Sequence, residues 1–597
     1  MDEQAAQLLR LRQHLKDVHD NPSIILDEKL LDQARYSLIP TLTSQDRQAL
    51  ILQVYQLLPN LQQDPAPTVS LLSKLLEPVS LSDVLALEPP VDFIAGLQVA
   101  TTPFNNLTLS LLEKADGSTA RILASAHSHL FIALVELWLG TQDEGVADKA
   151  GKVLLALLKA DLPDPGTIGR DGSVWKRLFR DRDVYERIFA ITDTRTGRDV
   201  SLNASRKTVA QARLLDWLPA VAALDWNAVS QSYHPDVEAA FGLKDTGHQS
   251  LLDYAMCHMV DYKRDVLMHR TLMAAYEALL AINPSSSLSG SPALDFLSKN
   301  GLHSRTLKYY IAPEDPAHDP LDVSFLYGPA AIYTARWAEM YPYDLESPRN
   351  AELKRAVLKK ATAAVKVPAA RWAHSHSPAE DLHVLASIPR STLLALGSSN
   401  PVLAIPSRVA NADALRCLAT IFHGPRVDDG SNSNVVTFPA PAHLPTDAEE
   451  LKAAQALYSQ YLAHNPRLWT DATTHADTIA LKDQALASIH LLTSVLSARW
   501  GGLAAVMDDS SPAKAAVVPW LLGPPKTFSN LVGGRGDAEN AAYQIATARF
   551  DALRLFARLL GDAEGYADVK AAVEQRIKEG PWGQAPEAGG RIATMEL

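Results

Sequence analysis

The decapeptide LTLSLLEKAD (Leu107–Asp116) returns 45 residues downstream as KVLLALLKAD (Lys152–Asp161), with five of ten positions identical and the Lys-Ala-Asp ending kept. A shorter echo, LLSK (Leu71–Lys74) and LLEK (Leu111–Lys114), lies at an offset of 40. Self-similarity at this period, in segments of helical pattern, is the mark of a stacked array whose repeats each bury a face against a neighbour. The competing reading is chance, because Leu-rich helices align easily.

The local pattern is helical almost throughout. Leu8, Leu11 and Leu15 fit one stripe of a helix; Leu30, Leu31, Ala34 and Leu38 fit a second; Ile51, Val54, Tyr55 and Leu58 fit a third. Each segment ends at a turn signal: Asn21-Pro22, Pro59-Asn60, Asp64-Pro65, Pro89-Pro90, Asp116-Gly117 and Asp143-Glu144-Gly145. Alternating Val/Ile/Thr runs joined by Asn-Gly turns, the signature of hairpins, are nearly absent. Two stretches, Leu130–Leu139 and Val153–Leu158, are apolar nearly all round, and such helices must be covered on most sides. The expected fold is all-α, an armadillo/HEAT-like helical solenoid (α-α superhelix).

The expected organisation is N-terminal repeats over 1–282, further repeats with irregular loops over 283–422, a flexible loop over 423–446, C-terminal repeats over 447–582 and a disordered tail over 583–597. The linker-like run Asn283–Pro292 and the aperiodic run His423–Pro445 set the inner boundaries. Helical pattern resumes at Leu451–Ala463, Ile479–Trp500, Ala541–Leu560 and Tyr566–Lys578.

Composition excludes several classes. A formal net charge of −12 disfavours a protein that coats nucleic acid, which needs excess Lys and Arg against phosphates, and disfavours an anionic membrane surface. No run reaches the length of a membrane span, and the acidic, amphipathic N-terminus does not read as a secretory signal. Two cysteines, Cys257 and Cys417, make neither a disulfide framework nor a cysteine zinc site. A monomer of the cytoplasm, or of cytoplasm and nucleus, is expected.

No residue set reads as catalytic, and no cofactor or metal is expected. His127 and His129, and His374 and His376, are spaced like ligand pairs, but no carboxylate or cysteine cluster completes either. An enzyme hidden in the irregular half would draw on His374, His376, His383, Asp381 or His423. Cys257-His258 reads as a buried structural cysteine, since adjacent helical residues diverge by about 100°. Gly533–Asp537 is glycine-rich but follows no strand, and its Arg-Gly-Asp reads as a flexible turn.

One segment stands out for recognition. Gly169–Phe189 carries six Lys/Arg and four Asp/Glu, a local excess of +2 within an acidic chain. Trp175, Leu178 and Phe179 share a helical face, with Lys176, Arg177 and Arg180 off it; Asp181 or Asp183 would cap a following helix. Trp175, Lys176, Arg177, Arg180, Arg182, Asp183 and Tyr185 are therefore the candidate partner-binding residues. The alternative is a helix corner whose Arg and Asp residues pair with one another. Trp217 and Trp226 read as core anchors of the next repeat.

Four phrases carry a resemblance: Leu75–Ala115, Ser173–Phe189, Lys207–Val229 and Leu251–Met273. They are similar to the 26S proteasome non-ATPase regulatory subunit 5 proteins and their fungal HSM-type relatives, which bear a DNA mismatch repair name. The resemblance spans roughly residues 25–280. It implies a non-enzymatic assembly chaperone that holds the C-terminal domain of an AAA ATPase subunit of the proteasome regulatory-particle base and leaves before maturation. It transfers no site residue. Another solenoid adaptor, for transport, tethering or mismatch-repair scaffolding, is the alternative.

Overall fold

The computed structural model describes residues 2–88, 90–98, 101–162, 172–197, 201–243, 249–282, 291–366, 378–408, 411–425, 540–561, 563, 565–581 and the span 447–525. Among the described residues every regular element is a helix. Contacts divide the chain into two compact units, Met1–Ala275 and Tyr276–Leu597.

The first unit opens with α1 (Asp2–Asp20), α2 (Glu28–Gln33), α3 (Ser44–Leu57) and α4 (Ala66–Leu76), followed by α5 (Leu81–Leu85), α6 (Phe93–Gln98) and α7 (Thr102–Leu112). The next repeat is α8 (Gly117–Ala126), α9 (Ser128–Gly140) and α10 (Glu144–Ala160). Then come α11 (Ser173–Trp175, continued by a wider turn over Lys176–Arg180), α12 (Arg182–Thr192) and α13 (Ala204–Leu224). The unit closes with α14 (Trp226–Ser230), α15 (Pro235–Ala240), α16 (Leu251–Asp253, continued over Tyr254–His258) and α17 (Val266–Leu280), which runs past the unit's end.

Packing repeats with the sequence. The third helices form one ladder, α4 on α7, α7 on α10 and α10 on α13; the second helices form another, α6 on α9 and α9 on α12; the short first helices follow, α8 on α11. Rungs join the ladders at α6–α7, α9–α10 and α12–α13. This is an armadillo/HEAT-like helical solenoid, in which each repeat covers the apolar face of the last. The two similar decapeptides are the ends of third helices α7 and α10. Their shared aspartates do the same work: Asp116 accepts from the Ser118 and Thr119 amides to start α8, and Asp161 accepts from the Val174 amide, at 2.7 Å, to start α11. The echo at Leu71–Lys74 is α4, and Lys114 of α7 donates to the carbonyls of Leu76, Glu77 and Val79 at the end of α4. Unpaired carbonyls at a helix C-terminus accept a cation well, so Lys114 ties its repeat to the preceding one.

The expected stripes are buried at Leu11, Leu15, Leu30, Leu31, Ala34, Leu38, Ile51 and Val54, with Leu8, Tyr55 and Leu58 half-buried. The all-round apolar α9 is covered by α6, α8, α10, α12 and α13, and its single acid, Glu136, pairs with Arg187 at 2.7 Å. No single helix among the described residues is long and apolar enough to cross a membrane; α8 and α9 pass such a test together but are bent by 100°.

The second unit repeats the scheme. It begins with α18 (Pro292–Lys299), α19 (Leu302–Ile311) and α20 (Pro320–Met340). From α20 a ladder runs through the helices Ala379–Ser387, Ala412–His423, Lys482–Leu496 and Ala541–Gly561, each packed on the next. The helical segments expected at 451–463 and 541–560 fall within Asp447–His464 and Ala541–Gly561, that at 479–500 ends four residues early, at Leu496, and that at 566–578 starts one residue late, at Ala567. One expectation is corrected: His423 ends a helix instead of opening a loop, and the break comes at Gly424, whose φ of +88° suits a residue without Cβ. Residues 426–446 of that expected loop, most of the Asn283–Pro292 linker and the 583–597 tail lie outside the described residues.

Candidate functional site

The charged segment singled out in the sequence lies at a corner between repeats. Gly172, at φ +39°, turns the chain into α11. The wider turn that follows is closed by the Asp181 amide donating to the Lys176 carbonyl at 3.0 Å, five residues back. Such i→i+5 turns rotate the side chains that follow them relative to a regular helix, and they recur at functional positions. Asp181 then accepts from the Asp183 amide and caps α12, as one of the two expected capping residues.

Trp175 is half-buried; its indole N–H donates to the Leu158 carbonyl at the end of α10, and its ring stacks on Phe179 with centroids 5.8 Å apart. Lys176 and Arg180 are exposed. The Arg180 guanidinium lies 5.3 Å from the Tyr233 ring centroid, and the Arg180 carbonyl accepts from His234. Facing them, Asp225 accepts from the Asn227 and Ala228 amides and so starts α14. Between the two walls is a groove of about 270 Å³, lined by Trp175, Lys176, Phe179 and Arg180 on one side and by Asn227, Gln231 and Tyr233 on the other. Its two acids, Asp161 and Asp225, each accept amide hydrogens at a helix start. What the groove offers a partner is an aromatic floor, two exposed cations and two side-chain amides, a combination suited to binding polypeptide.

The structure therefore divides the expected set. Trp175, Lys176 and Arg180 line the groove. Arg182 and Asp183 are exposed at the start of α12, where Arg182 pairs with Asp236 at 2.8 Å. Arg177 and Tyr185 are corrections. Arg177 is half-buried, donates from Nε to the Ala124 carbonyl at 3.0 Å and is ion-paired with Asp181, so it ties α8 to the corner. Tyr185 is fully buried, and its hydroxyl donates to Glu238 at 2.9 Å; burial, with that carboxylate alongside, raises the phenol far above its ordinary range. The expected internal pairing thus holds at Arg177 with Asp181, while Trp175, Lys176 and Arg180 face the groove. Sequence reasoning missed the opposite wall, Asn227, Gln231 and Tyr233, since attention went to the larger tryptophans.

The other sequence candidates scatter. Trp217 is a core anchor, 4.7 Å from Trp138 by ring centroids and donating to the Gly151 carbonyl; Trp226 is only half-buried. His127 is half-buried between α8 and α9, and His129 is exposed. Cys417 is buried, but Cys257 is half-buried, which corrects the expectation of a buried cysteine there. Asp381 is buried and accepts from the hydroxyls of Tyr310 and Tyr327. Among the described residues no three His, Cys, Asp or Glu side chains converge to hold a metal ion; His374, His376 and Gly533–Asp537 lie outside them.

The fold and groove define a class, an all-helical repeat protein with a polar and aromatic recess at a repeat corner. No family model matches this chain. No curated protein matches it either. It is similar to two crystal structures of SYS-1: in complex with POP-1, at 8% identity and a TM-score of 0.23, and alone, at 9% identity and a TM-score of 0.22. Each comparison covers 99% of this chain and 97% of the other. At these scores the likeness carries no argument about function.

Proposed function

We propose that this chain is a non-enzymatic protein-binding scaffold, and that its client is the C-terminal domain of an AAA ATPase subunit of the proteasome regulatory-particle base, held during assembly and released before maturation. The groove between Trp175 and Tyr233 is the observation that carries the scaffold reading, because it presents binding chemistry on a helical stack. The client's identity is supported by the resemblance of residues 25–280 to the proteasome subunit 5 proteins. A charged surface suits such a role: long-range attraction speeds encounter, and exposed pairs release readily.

Affinity purification from native extract, read by mass spectrometry, tests the proposal. Free base ATPase subunits with little mature 26S proteasome are the expected catch. Recovery of transport receptors or coat proteins without base ATPases would reject the client named here.

A further inference from the structure

The second unit carries an apolar stripe that its own packing leaves uncovered. On α20, Leu321 is 67% exposed, Phe325 43% and Ile332 45%. With Gly328 they recur at spacings of four, three and four residues, so they lie along one face for about 16 Å of helix.

The stripe is framed by acids. Asp319 and Asp322 flank Leu321, and Glu380 lies beside Gly328, where an added Cβ would meet its side chain at 3.9 Å. None of the three has an ion-pair partner among the described residues. Two cations of this region are engaged elsewhere: Arg336 with Glu277 at 2.6 Å and with Glu339, and Lys360 over the Tyr327 ring at 5.0 Å. An exposed apolar stripe with heptad-like spacing and an unpaired acidic border matches the complement of one kind of ligand.

We infer that this face of α20 docks an amphipathic helix of a partner protein whose apolar stripe is bordered by Lys and Arg. The partner's apolar side chains cover Leu321, Phe325 and Ile332 while its cations meet Asp319, Asp322 and Glu380. The inference is independent of the groove in the first unit.

The test uses the full chain and two fluorescein-labelled 18-residue helical peptides of identical Leu pattern, one with Lys and one with Glu at the polar positions. Anisotropy at physiological salt should show saturable binding of the Leu/Lys peptide and none of the Leu/Glu peptide. The triple variant Leu321→Gln, Phe325→Gln, Ile332→Gln keeps the net charge and should weaken binding at least tenfold with an unchanged helical CD spectrum. The pair Asp322→Asn, Glu380→Gln, which leaves in place Asp319, whose carboxylate accepts the Leu321 amide at the start of α20, should weaken it several-fold and flatten its salt dependence. Equal binding to the triple variant would show general attraction to an acidic protein and overturn the inference. So would failure of the Leu/Lys peptide to bind, or sedimentation showing that the stripe is covered by a second copy of this chain.

Discussion

The hydroxyl of Tyr185 donates to Glu238 across 53 residues of sequence, at 2.9 Å, and both side chains are fully buried. Glu238 also accepts from the Ser232 hydroxyl and the Tyr233 amide, so this carboxylate organises the wall of the groove opposite Trp175. Tyr185→Phe removes one donor to a buried charge, and hydrogen bonds to charged groups contribute about 1.5–3 kcal/mol. The variant should lose roughly that much stability in urea unfolding while retaining partner binding at native temperatures.

Neighbouring cations of the corner should separate by role. Arg177→Ala gives up the Ala124 carbonyl and the Asp181 ion pair, and should cost about 1–2 kcal/mol. Lys176→Glu with Arg180→Glu changes exposed side chains and should leave the unfolding free energy within about 0.5 kcal/mol of wild type. Paired denaturation curves check both expectations.

In the second unit, Arg390 and Glu450 are each 1% exposed; the Glu450 carboxylate accepts the Arg390 and Ser391 amides, and Arg390 donates to the carbonyls of Thr420 and Ile421. Breaking a buried pair strands the remaining charge, at about 3–5 kcal/mol. Glu450→Ala should therefore be among the most destabilising single substitutions in the chain. Limited proteolysis should locate the early cuts in the second unit, leaving a fragment of Met1–Ala275 protected longer.

Acid should weaken the second unit through His303. Its imidazole is buried against Trp337, with Nδ1 2.8 Å from the Tyr333 hydroxyl, and burial lowers its pKa to about 4. The unfolded chain, at the ordinary value of 6.5, takes up a proton more readily than the folded one. The stability held by the neutral ring is thus complete above pH 6.5 and lost as pH falls towards 4, by up to roughly 3.5 kcal/mol at about 1.4 kcal/mol per unit. Asp381, whose carboxyl burial raises, has the opposite sign, so the informative quantity is a difference between variants. Urea midpoints should fall more steeply from pH 7 to 4.5 in wild type than in His303→Gln.

The fold was legible because its signals are local. Apolar stripes, capping aspartates and turn dipeptides act within a few residues, and the third-helix echo exposed the repeat through Asp116 and Asp161. The site was half legible for the complementary reason. Trp175, Lys176 and Arg180 announce themselves by composition, but their opposite wall is set by the approach of α14. That Arg177 would find the Ala124 carbonyl, or Tyr185 the Glu238 carboxylate, depends on contacts more than 50 residues apart. Pro219 and Pro329 lie inside helices, where packing offsets the missing amide bond.

Direct titration of the purified full chain with isolated C-terminal domains of the base ATPase subunits tests the central claim. The account predicts saturable binding of at least one domain, weakened at least tenfold by Lys176→Glu with Arg180→Glu and unchanged by Tyr185→Phe. Absence of binding to every such domain, or equal affinity of the charge-reversed variant, would contradict it.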